Sequence, residues 1–329
     1  MALVDDLQEL ASRVSAGERR ALAKAITLVE STRARDRVRA ATLLGALPSG
    51  GAPSVRVAIS GPPGVGKSTF IEAFGLHAIA QERRVAVLSI DPSSSLSGGS
   101  ILGDKTRMYD LSRHRDAFIR PSPAGTTLGG VARRTRESML LCEAAGYDLI
   151  IVETVGVGQS ETAAAGMTDA FVVLLLPLGG DELQGIKRGI MELADIVLVN
   201  KADGDQRPAA ARTVADYRSA LRLLRPRSPL WTPVVDSCSA LTLEGVSDAW
   251  THVLAHHGVF VETGELMRIR SEQARKWLWE ELTDQVTAWL RTDSAMAEAL
   301  AACEAAVVRG ELAPPAAASR ILSNLSPIR

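Results

Sequence analysis

The nine residues Gly61-Pro62-Pro63-Gly64-Val65-Gly66-Lys67-Ser68-Thr69 satisfy the P-loop pattern G-x-x-x-x-G-K-[ST] in full. The pattern admits few folds. Its chemistry requires a buried strand that runs into a glycine-bearing turn and then a helix, so that the turn's N–H groups converge on a polyphosphate at the helix's positive end. The flanks agree: Val55–Ser60 (VRVAIS) is short, apolar and β-branched, as a buried strand is, and Thr69–Glu82 reads as a helix. Lys67 is placed to reach the β- and γ-phosphates, and the Ser68 hydroxyl to ligate Mg²⁺.

A second motif lies far along the chain. Asp195–Val199 (DIVLV) is another apolar strand candidate, and it ends in Asn200-Lys201-Ala202-Asp203, an N-K-x-D pattern. Guanine presents its N1–H and exocyclic amine side by side, and a carboxylate such as Asp203 accepts from both. Adenine would leave that carboxylate unpaired in a desolvated site. Lys201 would lay its aliphatic stem along the base while Asn200 braces the loop. The run Cys238-Ser239-Ala240-Leu241 follows the strand-like Pro233–Asp236 and fits a loop that meets the guanine oxygen through backbone N–H. The expected ligands are GTP and GDP.

Between Val55 and about Ala255 strand-like and helical runs alternate. Val55–Ser60, Val85–Ile90, Leu149–Val152, Phe171–Leu176, Ile196–Val199 and Pro233–Asp236 are mostly apolar without alternation, which suits a sheet covered on both faces. The fold expected is α/β: a P-loop NTPase with a doubly wound, mostly parallel sheet and its ligand at the carboxyl ends of the strands. Residues 1–50 read as an N-terminal helical segment, with a break at Ser31/Thr32, residues 51–258 as the nucleotide domain and 259–329 as a helical arm. In the arm Leu278, Leu282, Val286 and Trp289 form one apolar stripe. Such a stripe either packs on its own domain or carries self-association, and its place beyond a complete α/β domain favours a homodimer.

Charge excludes other partners. With 37 basic and 38 acidic residues, no global field draws nucleic acid or anionic lipid. The first residues lack the order of a signal peptide, and no apolar run reaches membrane-spanning length, so a cytoplasmic protein without membrane association is expected. Cys142, Cys238 and Cys303 are widely spaced, consistent with reduced thiols. The adjacent His256-His257 lacks ligand spacing.

Three polar stretches should gather at the nucleotide edge. The first begins at Asp91 and runs through a Ser- and Gly-rich loop to Asp104 and Met108. Each Asp serves either as a turn or cap residue or on the metal side of bound nucleotide. The second is Glu153-Thr154-Val155-Gly156-Val157-Gly158-Gln159-Ser160-Glu161: an acidic strand end that partners Mg²⁺, a glycine whose N–H can reach the γ-phosphate, and a glutamine that can orient water. The third, Gly179–Arg188, is glycine-rich and charged. Three such loops around one nucleotide suggest a switch.

Together GPPGVGKST, DPSS with GGSILGDKTRM, RPSP with TLGG, ETVGVGQSE, GDELQGIK, NKADGD and CSAL resemble the methylmalonyl-CoA mutase-associated GTPases of the MeaB/ArgK type. The resemblance implies a GTPase chaperone that protects and loads an adenosylcobalamin-dependent acyl-CoA mutase, and a homodimer formed through the C-terminal helices. It implies a metal-side set of Ser68, Asp91, Asp104 and Glu153, a catalytic set of Lys67, Asp104, Glu153 and Gln159, and switches at Asp91–Met108, Glu153–Glu161 and Leu178–Arg188. Rival readings are a metal-insertion GTPase, which would show a Cys or His cluster, a metabolite kinase, which would need an acceptor pocket, and a non-hydrolysing scaffold.

Overall fold

A computed structural model describes residues 2–48, 54–90, 108–121, 128–154, 159–177 and 188–323. The chain divides into two compact units, residues 1–270 and 271–329. In the first, three helices, α1 (Ala2–Ser15), α2 (Arg19–Glu30) and α3 (Ala34–Gly45), precede β1 (Val55–Ser60). Then follow α4 (Lys67–Ala80), β2 (Val85–Ile90), α5 (Tyr109–Arg113), β3 (Ala117–Arg120), α6 (Leu128–Ala144), β4 (Leu149–Thr154), α7 (Gln159–Ala165) and β5 (Ala170–Leu175). The unit is completed by α8 (Arg188–Met191), β6 (Ile196–Val199), α9 (Arg207–Leu221), β7 (Val234–Ser237), α10 (Val246–Glu262) and the start of α11 (Glu265–Thr292).

The described strands form one seven-stranded sheet in the order β3-β2-β4-β1-β5-β6-β7, every neighbouring pair parallel. The unalternating strands β2 and β5 are buried along their whole length, because helices cover both faces. On one face Phe70 stacks on Phe74, ring centroids 5.5 Å apart, and Phe74 meets Trp250 of α10 edge-on at 5.6 Å. On the other, Leu22, Ile26 and Leu43 of the N-terminal helices enter the same core as Phe171 and Tyr217. No described helix is long and apolar enough to cross a membrane.

The α/β architecture is the one the strand–helix alternation predicts, with three local differences. The sheet is wholly parallel, and β3, Ala117–Arg120, goes unread in the sequence because it is a four-residue edge strand ending in arginine. The N-terminal segment breaks once more, at Gly17, whose φ of 77° ends α1 although the apolar spacing runs on. The helix after the P-loop starts at Lys67, two residues earlier than its apolar pattern suggests.

Polar side chains fix the amino ends of the strands. Arg270 donates to both Asp169 carboxylate oxygens at 2.9 and 2.7 Å and to the Ser54 carbonyl at 2.6 Å. Asp169 also accepts from the Arg56 amide at 2.9 Å, and the Arg56 guanidinium donates to Glu143 at 2.7 and 2.8 Å. One charge network thereby clamps β1 and β5, the strands that flank the P-loop at their other ends.

The second unit holds the rest of α11, α12 (Ser294–Val308) and α13 (Pro314–Ser323). Its small core gathers Cys303, Ala317 and Ile321 with Leu290 and Leu300. The Asp293 side chain caps α12, accepting from the Met296 amide at 3.1 Å.

A second buried charge group lies before β6. Asp195 accepts from the Phe171 amide at 2.9 Å and from Arg227 at 3.1 Å. His256, stacked on Phe260 and edge-on to Trp231, lies 3.8 Å from it. Burial pushes the Asp195 carboxyl up to about 6, against the pull of Arg227, and holds His256 down to about 4, with Arg227 and His257 pushing the same way and Asp169 opposing. The unfolded chain protonates His256 near 6.5, so that group costs the fold stability as pH falls from 6.5 towards 4. Asp195 acts oppositely: the fold takes up its proton near 6 and the unfolded chain near 3.8, so stability is gained over that window. His256→Phe removes only the loss. Its stability relative to wild type should therefore rise as pH is lowered from 6.5 to 4, by at most about 1.4 kcal/mol per pH unit. Urea midpoints at stepped pH measure this, and a pH-independent difference would reject the assignment.

Candidate nucleotide site at the carboxyl edge of the sheet

Among the described residues, four strands deliver polar groups to one edge: β1 the P-loop, β4 Glu153, β6 Asn200 and β7 Ser239. The P-loop's glycines are dictated by space and backbone. Gly61 has φ 154°, and a Cβ there would lie 2.5 Å from the Leu174 carbonyl oxygen. Gly66 has φ 91°, and a Cβ there would lie 2.9 Å from Asn200 Nδ2. Only glycine satisfies both conditions. Between them Val65 is fully buried as the turn's apolar anchor, whereas Pro63, Gly64 and Thr69 are exposed and Pro62 is half-buried.

Lys67 opens α4 and folds back over the turn. Its ammonium donates to the Gly61 carbonyl at 2.7 Å and the Pro62 carbonyl at 3.2 Å. Burial holds its pKa below the ordinary lysine value, and the charges of Glu153 and Glu161 pull it back up. A phosphate oxygen, as an anionic acceptor, competes well with two neutral carbonyls for this cation. One residue on, the Ser68 hydroxyl donates to Glu153 Oε1 at 3.3 Å. These oxygens suit a hard cation: a hydroxyl from the P-loop helix and a carboxylate from a strand end meet beside the lysine.

Asn200 is buried, and its amide joins two loops. Nδ2 donates to the Val65 carbonyl at 2.8 Å, and Oδ1 accepts from the Ala240 amide at 3.0 Å, with the Cys238 thiol at 3.7 Å. The phosphate loop and the loop after β7 thus share one side chain. Lys201 adopts a left-handed backbone, φ 61°, and its Cε lies 3.8 Å from where a Gly66 Cβ would stand, so its stem runs beside the P-loop. Asp203 Oδ1 accepts from the Ser239 hydroxyl at 2.6 Å, and Ser239 in turn accepts from the Thr242 amide at 3.1 Å. Ala240 is buried, but Leu241 is 79% exposed.

Asp91, Asp104 and Gly156 lie outside the described residues, as does the stretch 178–187. Gln159 opens α7 with its side chain outside the description, as is that of Arg188. One site residue carries no separate role in the sequence reading. Glu161, on the first turn of α7, is fully buried, receives the Ser160 hydroxyl at 3.1 Å, and acts electrostatically on Lys67. Its only signal in the sequence is its place at the end of ETVGVGQSE.

Asn200→Ala should leave the Val65 carbonyl and Ala240 amide without their partner. A loss of about 2–6 kcal/mol in stability is expected, from two buried groups at about 1–3 kcal/mol each, together with weaker GDP binding. Calorimetric unfolding and GDP titration check this; unchanged GDP affinity would show that the bridge does not shape the nucleotide loops.

The family described as Methylmalonyl Co-A mutase-associated GTPase MeaB matches residues 22–295. The chain is 49% identical over 316 residues to the methylmalonic aciduria type A homolog, mitochondrial, of Mus musculus, across 93% of this chain and 76% of that one. To the GTPase ArgK of Escherichia coli it is 48% identical over 280 residues, 85% of each chain. A crystal structure described as a LAO/AO transport system kinase shares the fold with a TM-score of 0.74 and 38% identity over 97% of both chains. The chain belongs to the methylmalonyl-CoA mutase-associated GTPase family.

Proposed function

We propose that this protein binds and hydrolyses GTP with Mg²⁺, and that its nucleotide cycle protects an adenosylcobalamin-dependent acyl-CoA mutase and gates its cofactor loading. The observation that carries the guanine reading is the Asp203 carboxylate, fixed by Ser239 at 2.6 Å in the loop pair that Asn200 ties to the P-loop. Held there, it can accept from both N1–H and the exocyclic amine of guanine. Membership in a family defined by mutase association supports the partner.

In this reading Gly61, Pro62, Pro63, Gly64, Val65 and Gly66 wrap the phosphates and Lys67 pairs with the β- and γ-oxygens. Ser68 and Glu153, 3.3 Å apart, would hold Mg²⁺, with Asp91 and Asp104 on the same side. The ion, when bound, neutralises phosphate charge. Gly156 would meet the γ-phosphate and Gln159 orient the attacking water. Asn200, Lys201, Asp203, Ser239, Ala240 and Leu241 frame the base. Catalysis is then positioning and charge neutralisation. No arginine is assigned to the transferred phosphoryl group, so basal turnover is slow, and a partner can raise it by moving Arg107 or Arg188 inward.

The acting form is a cytoplasmic homodimer. Leu278, Leu282, Val286 and Trp289 on α11 remain 65, 46, 42 and 45% exposed, an apolar stripe that a second copy would cover. A chain ended after Arg270 keeps the whole first unit and its Arg270–Asp169 clamp. It should be a monomer by light scattering and still bind GDP; a dimer would move the interface into the first unit.

The partner and the base are tested together. GTP hydrolysis should accelerate when the acyl-CoA mutase encoded nearest this gene is added, with binding that depends on the bound nucleotide. In Asp203→Asn, whose side chain is a mixed donor and acceptor, the accelerated reaction should pass from GTP to xanthosine triphosphate. Absence of both acceleration and complex removes the chaperone role and leaves the GTPase. Equal binding of ATP and GTP by wild type removes the guanine assignment.

A further inference from the structure

The chain as a whole is charge-balanced, yet residues 19–39 carry seven basic side chains and two acidic ones. This stretch is α2, the turn after it and the first half of α3. Between it and α1 lies a cavity of about 680 Å³, with Leu10 and Leu28 among its apolar lining and Lys24, Arg33 and Arg39 among its polar lining. That volume is typical of small-molecule pockets. Its lining shares no residue with the nucleotide site.

The carboxylates of the cavity are already engaged. Glu30 accepts from Arg120 Nε at 3.0 Å and from Arg120 Nη2. Asp36 accepts from the Ser31 hydroxyl at 2.7 Å, which holds its pKa below the usual aspartate value together with Arg35, Arg39 and Arg33. The cations are short of partners. Among the described residues no carboxylate stands within ion-pair distance of Lys24 or Arg33. Arg39 reaches Asp36 and Asp6 only at 3.5 and 3.9 Å, and its side chain is 36% exposed.

Three under-used cations around a partly apolar hollow suit an anion of high charge density attached to an apolar body. A phosphomonoester carries a charge of about −1.5 to −2 at neutral pH and three acceptor oxygens, enough to engage all three. A monocarboxylate offers one charge and two oxygens. We propose that this cavity binds a small phosphomonoester, its phosphate against Lys24, Arg33 and Arg39 and its apolar part on Leu10 and Leu28.

The test uses the full-length protein saturated with GDP, so that the P-loop is already taken. Calorimetric titration compares phenyl phosphate with inorganic phosphate and phenol. Phenyl phosphate should bind saturably and more tightly than inorganic phosphate, and phenol should not bind. Lys24→Glu and Arg33→Glu should each weaken phenyl phosphate about tenfold, the loss of one charge-assisted contact, with GDP affinity and melting temperature unchanged. Both side chains are exposed, and a carboxylate at position 33 stands at the favourable end of α3, so the fold tolerates both changes. Absence of saturable binding, or undiminished binding to the doubly substituted protein, overturns the proposal. Equal affinity for phenyl and inorganic phosphate overturns the role of Leu10 and Leu28.

Discussion

The buried amide of Asn200 is the constraint on which the candidate site rests. Its donor fixes the Val65 carbonyl and its acceptor fixes the Ala240 amide, so neither loop can shift without breaking a desolvated hydrogen bond. The rest of the geometry follows from that tie. Gly66 must lack a side chain because Asn200 occupies its space. The Lys201 stem runs beside Gly66, and Asp203 faces Ser239, because the same turn carries them.

The two edges of the sheet do different work. At the amino edge, charged groups pair with one another: Arg270 with Asp169, Arg56 with Glu143, Arg227 with Asp195. At the carboxyl edge, Lys67 rests on two neutral carbonyls and the Ser68 hydroxyl makes a long contact with Glu153. Those bonds are weaker than the ones phosphate and a divalent cation would offer. Pairs between protein groups anchor the strands, and replaceable contacts are kept for the ligand.

What was legible in the sequence was whatever a local pattern or burial on two faces imposes. The P-loop and N-K-x-D are each an unbroken local motif, and β2 and β5 betray themselves by apolar runs without alternation. The edge strand Ala117–Arg120 has only two large apolar residues and no such signature. The turn at Gly17 is hidden because the apolar spacing of α1 and α2 continues across it. Glu161 and Arg270 act on residues distant in sequence, and no pattern links an arginine on α11 to an aspartate before β5. The proposed roles of Asp91, Asp104 and Gly156 rest on motif and resemblance alone.

The bond from Asn200 to Val65 spans 135 residues of chain. A P-loop is often pictured as a self-contained turn, but this one reaches its final form only when the sixth strand has joined the sheet and brought Asn200 against it. Until then Val65 lacks its partner, and closing so long a loop is an entropic cost that only the assembled core repays. An incomplete chain emerging from the ribosome therefore carries the phosphate motif without the means to shape it. Guanine nucleotide becomes a ligand of the finished fold alone, and by mass action it stabilises that fold against every partly assembled state.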